Sequence, residues 1–361
     1  MQAVGVGRGL LPYMADSNKG ASDSGLTANA TVTDGPYFED FKVGETLPPA
    51  PAITIGYGEA AVYQSICGDP LAISLSQPLA TTVTGQPQAV VNPALVLQVA
   101  IGQSTVATRK VIANLFYRGV RQLATVYVGE TLCTHVTVRG LREATPRADR
   151  EPRGMVLLGI QTTDSAGELV LDFERCALVR RRSAEPTGHK DNLGGVADTL
   201  DMASFEQIAP LHWDLTALAG SGDGFRGLNW AVGETRAEPL RDTVTDALAL
   251  VRLTQNLAQA HRDASLGQDG KRLVYGGHTI GLAQAGLMRL LPSAATVVGW
   301  HMCDHTAPVF EDDLLAVAAT LDIVWQVANG YLLAFTVEVQ AERTGASAMP
   351  VLLWRPVVLA S

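Results

Sequence analysis

The stretch Gln255-Asn256-Leu-Ala-Gln-Ala-His261-Arg-Asp263 sets an imidazole five residues after a side-chain amide. An unperturbed imidazole titrates near ~6.5, so His261 is the natural general base of this chain. Asn256 can hold a water by hydrogen bonds but cannot ionise, so it carries no proton. A little further on, Val274-Tyr-Gly-Gly-His278 opens an apolar run. A free backbone N–H at the Gly276-Gly277 turn, foremost that of Gly277, would face an oxygen on which charge builds, with a helix dipole behind it. A base, a water holder and such a donor together suit acid–base chemistry in which negative charge builds on an oxygen. Each residue also has a plainer reading. His261 can be a structural hydrogen-bonding residue, Asn256 a left-handed C-cap, and the glycines a tight packing turn.

These residues need elements to position them, and the chain supplies those elements twice. Phe41-Lys-Val-Gly-Glu-Thr46 recurs as Trp230-Ala-Val-Gly-Glu-Thr235. In each copy a helix-like stretch follows: Glu59 to Cys67, ending at Gly68-Asp69, and Asp246 to Gln255, ending at Asn256. Next comes a turn of small residues that opens an apolar helix, within Val90 to Ile101 and within Val274 to Leu287. Both helices are apolar nearly all round, which predicts burial against a sheet. Strand-like runs, rich in β-branched residues and bounded by Gly, Asp and Pro, complete each copy. They are Ala124–Val128, Leu132–Val138, Met155–Ile160 and Leu169–Phe173, then Ala316–Val324, Tyr331–Val339 and Val351–Trp354.

One buried helix wrapped by one antiparallel sheet is a two-layer α+β domain. A period of about 190 residues, present twice, means duplication and not a solenoid. The chain therefore divides into a loose extension over 1–35, a first domain over 36–182, a polar linker over 183–205 and a second domain over 206–361. In the first copy, Gly68-Asp69-Pro-Leu-Ala-Ile-Ser74 has an acid where the second has Asn256, and Ser74 where the second has His261. The candidate site thus belongs to the second domain, and Asp69 reads as a helix-end cap left from duplication.

Composition narrows the function classes. A net charge of −9 argues against a nucleic-acid surface, since phosphate binding needs clustered Lys and Arg. The dense basic run, Arg180-Arg181-Arg182, reads as a charged strand end entering the linker. Cys67, Cys133, Cys176 and Cys303 lie far apart with no CxxC or His-rich spacing, so neither a zinc site nor a disulfide scaffold is expected, and a reducing cytoplasm fits. No apolar stretch has the length of a membrane span.

The order strand, buried helix, antiparallel sheet resembles the hotdog fold, and the residues resemble the MaoC-like hydratases. In that family an acid at a helix end is followed five residues later by a His, and a small-residue turn opens the central helix. His261 with Asp263 matches; Asn256 departs, standing where the family carries Asp. Within the family the chain is similar to mesaconyl-CoA hydratases (β-methylmalyl-CoA dehydratases). The likeness is carried by Gln255-Asn256 with His261, Val274 to His278, Asp304-His-Thr-Ala-Pro308, and Ile112–Tyr117 through Tyr127–Leu132.

The resemblance implies a double hotdog that hydrates a 2-enoyl-CoA or dehydrates a 3-hydroxyacyl-CoA, the acyl group branched or carboxylated in some members. It implies an acyl-CoA partner, no metal or other cofactor, and no nucleic-acid or membrane partner, and it admits a homodimer. His261, Asn256 and Gly277 are then the expected catalytic residues. Gly276, His278, His305, Arg118 and Arg121 are expected at the substrate, the two arginines at CoA phosphates. Two other functions stay open on the residues. A hotdog thioesterase usually needs a carboxylate on or near the central helix, and neither 93–105 nor 277–290 has one. A non-catalytic acyl-CoA binding protein would fit the loss of the acid at Asn256.

Overall fold

The repeat read from the sequence becomes two copies of one local structure. Gly44 and Gly233 take left-handed φ values of 85° and 84°, a turn that costs a residue without Cβ nothing. Their amides donate to Val138 and Leu321 carbonyls at 2.8 and 2.7 Å. Two residues later Thr46 pairs its hydroxyl with Thr137 at 3.0 Å, and Thr235 with Thr320 at 2.7 Å. Phe41 and Trp230, which open the two motifs, are both buried.

The computed structural model describes residues 35–361 apart from 146–150, 196, 198, 219–228 and 267–269. The expected extension over 1–35 therefore lies, but for Gly35, outside the described residues. Gly35–Ser361 form one unit. The first copy contains β1 (Thr46–Leu47), β2 (Ile53–Thr54), α1 (Tyr57–Cys67), α2 (Ala72–Leu75), α3 (Gln77–Thr84) and α4 (Pro93–Gln103). Long strands β3 (Val111–Gln122), β4 (Thr131–Glu143), β5 (Arg153–Thr163) and β6 (Leu169–Arg180) follow, and α5 (Met202–Glu206) lies in the connection. The second copy has β7 (Thr235–Ala237), β8 (Asp242–Thr243), α6 (Ala247–Leu253) and α7 (Gly276–Leu290). It ends with β9 (Ala294–His305), β10 (Leu314–Val327), β11 (Gly330–Glu342) and β12 (Met349–Ala360).

The strands form one antiparallel sheet in the order β1-β4-β5-β6-β3-β9-β12-β11-β10-β7. The order is the same read outward from the centre on either side, with β3 and β9 as counterparts. These two strands zip the copies together, Tyr117 opposite Cys303 and Val120 opposite Trp300, which satisfies edge N–H and C=O groups that would otherwise stay open. Helix α4 packs on β4 and β5, α7 on β10, β11 and β12, and the two helices on each other, so both lie on one face.

Every residue of α4 is buried, as are Gly277 to Met288 of α7. Buried polar groups call for partners, and the side-chain amides of two glutamines on α4 find them. Gln98 Nε2 donates to the Gly277 carbonyl at 2.8 Å, and Gln103 Nε2 to the Pro51 carbonyl at 2.9 Å. The connection over 183–205 runs across the opposite face. Leu193 packs there with Leu157 and Cys176, and the Leu141 carbonyl takes the Asp191 amide at 3.1 Å.

Two local expectations fail. Ala124–Val128 is no strand; Tyr127 makes a single bridge to Val90, and the long strand before it is β3. The left-handed residue that ends α6 is Gln255 (φ 56°), not Asn256. The Asn256 and Gln255 amides return to the Val251 and Arg252 carbonyls at 2.9 and 3.2 Å, a Schellman closure with Gln255 at its turn. Among the described residues no helix is long and apolar enough to cross a membrane.

Candidate active site

Because the α6 turn is completed by Gln255, the Asn256 side chain is left for other work. Its Oδ1 accepts the Ala258 amide at 2.9 Å, fixing the side chain against its own loop. Its Nδ2 is buried, has no protein partner among the described residues, and belongs to a residue that lines a cleft of about 1290 Å³. A buried N–H pair without an acceptor is costly, and a bound water or ligand oxygen relieves it.

His261 sits on the same cleft, at the end of a single 3-10 turn over Gln259–His261. That turn is tied to the first copy by the Gln259 amide, which donates to the Arg109 carbonyl at 3.1 Å. The imidazole Nδ1 lies 3.0 Å from the Leu273 carbonyl. A carbonyl only accepts, so Nδ1 carries the hydrogen and Nε2 keeps its lone pair. Burial pushes the His261 pKa down to about 4; the Leu273 bond opposes this, and the positive charge of Arg175 adds to it. At neutral pH the ring is therefore an uncharged base.

Helix α7 opens beside these groups. Its first two amides, those of Gly276 and Gly277, have no carbonyl a turn earlier inside the helix to receive them. Gly276 stands at the cleft wall. A Cβ on Gly276 would lie 2.6 Å from His305 Nε2, and one on Gly277 would lie 2.6 Å from the Tyr275 ring, so both positions exclude a side chain. His305, at the end of β9, lines the cleft with Nε2 unpartnered among the described residues, and burial together with nearby His261 lowers its pKa to about 4.

Asn256, His261, Gly276 and His305 thus meet on one cleft, and four expected residues do not. Gly277 lies one position behind the wall, its carbonyl occupied by Gln98. His278 is fully buried in the core, both ring nitrogens without partners among the described residues, because the next helical step turns it away from the opening. Arg118 and Arg121 serve the connection on the sheet's far face. Arg118 pairs with Glu174 at 2.8 Å and reaches the Gly195 carbonyl at 3.0 Å, while Arg121 reaches the Ser204 carbonyl at 3.0 Å.

The cleft also gathers residues that the sequence did not single out. Arg175 of β6, together with Tyr117 and Asn114 of β3, belongs to its wall. Asn114 keeps both side-chain polar atoms buried and, among the described residues, unpartnered. A signal for Arg175 was available: strand alternation puts it on the face of Phe173, Ala177 and Val179, where a charge is out of place. The run Arg180-Arg181-Arg182, read as a plain strand end, lies at the rim with Lys110. Arg182 pairs there with Asp40 at 2.7 Å and Arg180 with Glu151 at 3.3 Å.

No family model matches the chain. It is 32% identical over 285 residues to the mesaconyl-CoA hydratase of Cereibacter sphaeroides, spanning 77% of this chain and 81% of that one. It is 29% identical over 293 residues to the β-methylmalyl-CoA dehydratase of Chloroflexus aurantiacus, spanning 80% and 82%. Among solved structures, a Mycobacterium tuberculosis protein described as a double hotdog superposes with a TM-score of 0.81 at 38% identity, over 91% of this chain and 99% of that one. A putative MaoC domain dehydratase from Chloroflexus aurantiacus superposes with a TM-score of 0.80 at 26% identity, over 92% and 99%.

Proposed function

Because the chain belongs to the MaoC-like double hotdog hydratases and dehydratases, we propose that its cleft moves water onto or off a 2-enoyl-CoA with His261 as the base. The chain is a hydro-lyase of CoA thioesters, of a group whose named members act on branched and carboxylated acyl groups. The observation that carries the assignment of His261 is its locked tautomer. Nδ1 is held by the Leu273 carbonyl, which leaves the Nε2 lone pair as the proton acceptor.

In hydration, Asn256 Nδ2 donates to the water and His261 Nε2 takes one of its protons. The water oxygen bonds to Cβ, and the electron pair of the double bond moves onto the thioester oxygen. The amides opening α7, Gly276 at the wall and Gly277 behind it, stabilise that charge with the helix dipole. The imidazolium then returns its proton to Cα, so no net proton is gained or lost. Burial makes the imidazolium a strong acid, which favours this return. The same groups run backwards dehydrate a 3-hydroxyacyl-CoA. The CoA phosphates are assigned to the rim of Lys110, Arg180 and Arg182, in place of Arg118 and Arg121.

The test is to incubate the protein with 2-enoyl-CoA thioesters and follow the double bond and free thiol separately. The double bond should disappear with no thiol released. Thiol release without hydration would make the protein a thioesterase and overturn this reading.

A further inference from the structure

Arg175 is 3% exposed and stands on the cleft wall. Nη1 donates to Ser104 Oγ at 2.9 Å and Nη2 to Thr108 Oγ1 at 2.6 Å, while Nε has no partner among the described residues. Those acceptors are neutral, and the groups acting on the guanidinium electrostatically are Tyr117, Tyr275 and Cys176, with no Asp or Glu among them. Arg343, by contrast, is paired with Asp313 at 2.7 Å. A buried cation is costly unless it is paired, so one held without a counter-ion beside a cleft implies that the ligand brings the anion.

The position narrows which anion. Arg175 lies five residues before Arg180 on β6, roughly 16 Å at the strand rise. Arg180 and Arg182 are half exposed at the rim, where the CoA phosphates have been placed, whereas Arg175 shares the inner wall with His261, His305, Tyr117 and Tyr275. An anion there is carried by the acyl group itself.

We propose that Arg175 is a specificity-determining residue that receives a free carboxylate at the far end of the acyl chain, selecting enoyl thioesters of dicarboxylic acids over uncharged ones. This rests on the hydratase reading of the same cleft. The fork of the guanidinium suits a planar carboxylate, and its remaining N–H groups are the donors.

The experiment compares mesaconyl-CoA with the methyl ester of its free carboxyl group, which keeps the shape and removes the charge. In wild type, kcat/KM should favour the acid by about 10²-fold, the scale of a buried charged hydrogen-bond pair. Arg175→Gln should collapse that ratio, and Arg175→Lys, which keeps the charge but not the fork, should recover part of it. If Arg175→Gln fails to fold, the wild-type ratio and Arg175→Lys still decide. Equal hydration of acid and ester by wild type, or an unmoved ratio in the variants, overturns the assignment of Arg175 alone. Hydration of neither, by a folded wild-type protein, overturns the hydratase reading and this assignment together.

Discussion

Helices α4 and α7 are counterparts, yet α7 opens into the cleft while α4 begins with its hydrogen-bonding groups spent internally. At the start of α4, Asn92 Oδ1 caps the Ala94 amide at 2.9 Å, and Pro93 follows with no N–H to offer. Asp69, the counterpart of Asn256, accepts from Asn92 Nδ2 at 2.8 Å and from Gln284 Nε2 at 2.6 Å. It also takes the Leu71 amide at 2.9 Å, as Asn256 takes that of Ala258. The turn geometry is kept and the valence is spent: burial raises the Asp69 pKa, and its bonds to Asn92, Gln284 and Leu71 oppose this. The hollow beside α4 is smaller, about 380 Å³, and is walled by Ile208, Pro210 and His212, residues that follow the connection between the copies. At α7 the same scaffold leaves Asn256 Nδ2, His305 Nε2 and two amides unspent. A site on this fold is thus a matter of which hydrogen-bonding groups are left without an internal partner.

That contrast can be broken in graded ways. His261→Ala should lower turnover by about 10²–10⁴ if His261 is the base, read as kcat in a hydratase assay. Asp69→Ala strands the donors of Asn92, Gln284 and Leu71, so it should cost about 4 kcal/mol in urea unfolding while turnover holds. Acid should act through the buried ring of His278, whose pKa burial lowers to about 4 against ~6.5 in the unfolded chain. Between those values the unfolded chain binds more protons, so the contribution is intact above pH ~6.5 and falls by about 3 kcal/mol as pH drops towards 4. Replacing His278 with Gln should flatten that slope by one proton. Ser74→Ala should change stability by no more than about 0.5 kcal/mol and leave turnover alone. Equal losses of turnover from Ser74→Ala and His261→Ala would place the site in the wrong copy.

Much of this was legible because the chain repeats itself. The Phe41–Thr46 and Trp230–Thr235 motifs marked both beginnings, and the all-apolar α4 and α7 announced burial. Strand β3 hid behind its composition: Asn114, Arg118, Arg121 and Gln122 interrupt the apolar pattern, since one face meets the connection and the other the cleft. Arg118 and Arg121 were misassigned for the same reason, since charge alone does not tell which face of a strand it leaves. His278 was misplaced because adjacency to a glycine turn in sequence says little about direction on a helix. Arg175 could be found only by asking why a guanidinium shares a face with Phe173 and Val179.

The pairing of β3 with β9 carries a consequence for how the molecule can change. In a symmetric dimer of identical chains each substitution appears at both helix openings at once, so neither can be altered without the other. Joining both copies in one polypeptide lifts that restriction. Asp69 and Asn256 can differ, one opening can be closed with an internal acid, and the other can lose its acid to suit an anionic guest. The walls still come from both copies, Arg175 from one and His261 from the other. Covalent linkage makes their meeting independent of protein concentration, so dilution should not erode the site as it would in a pair of separate chains.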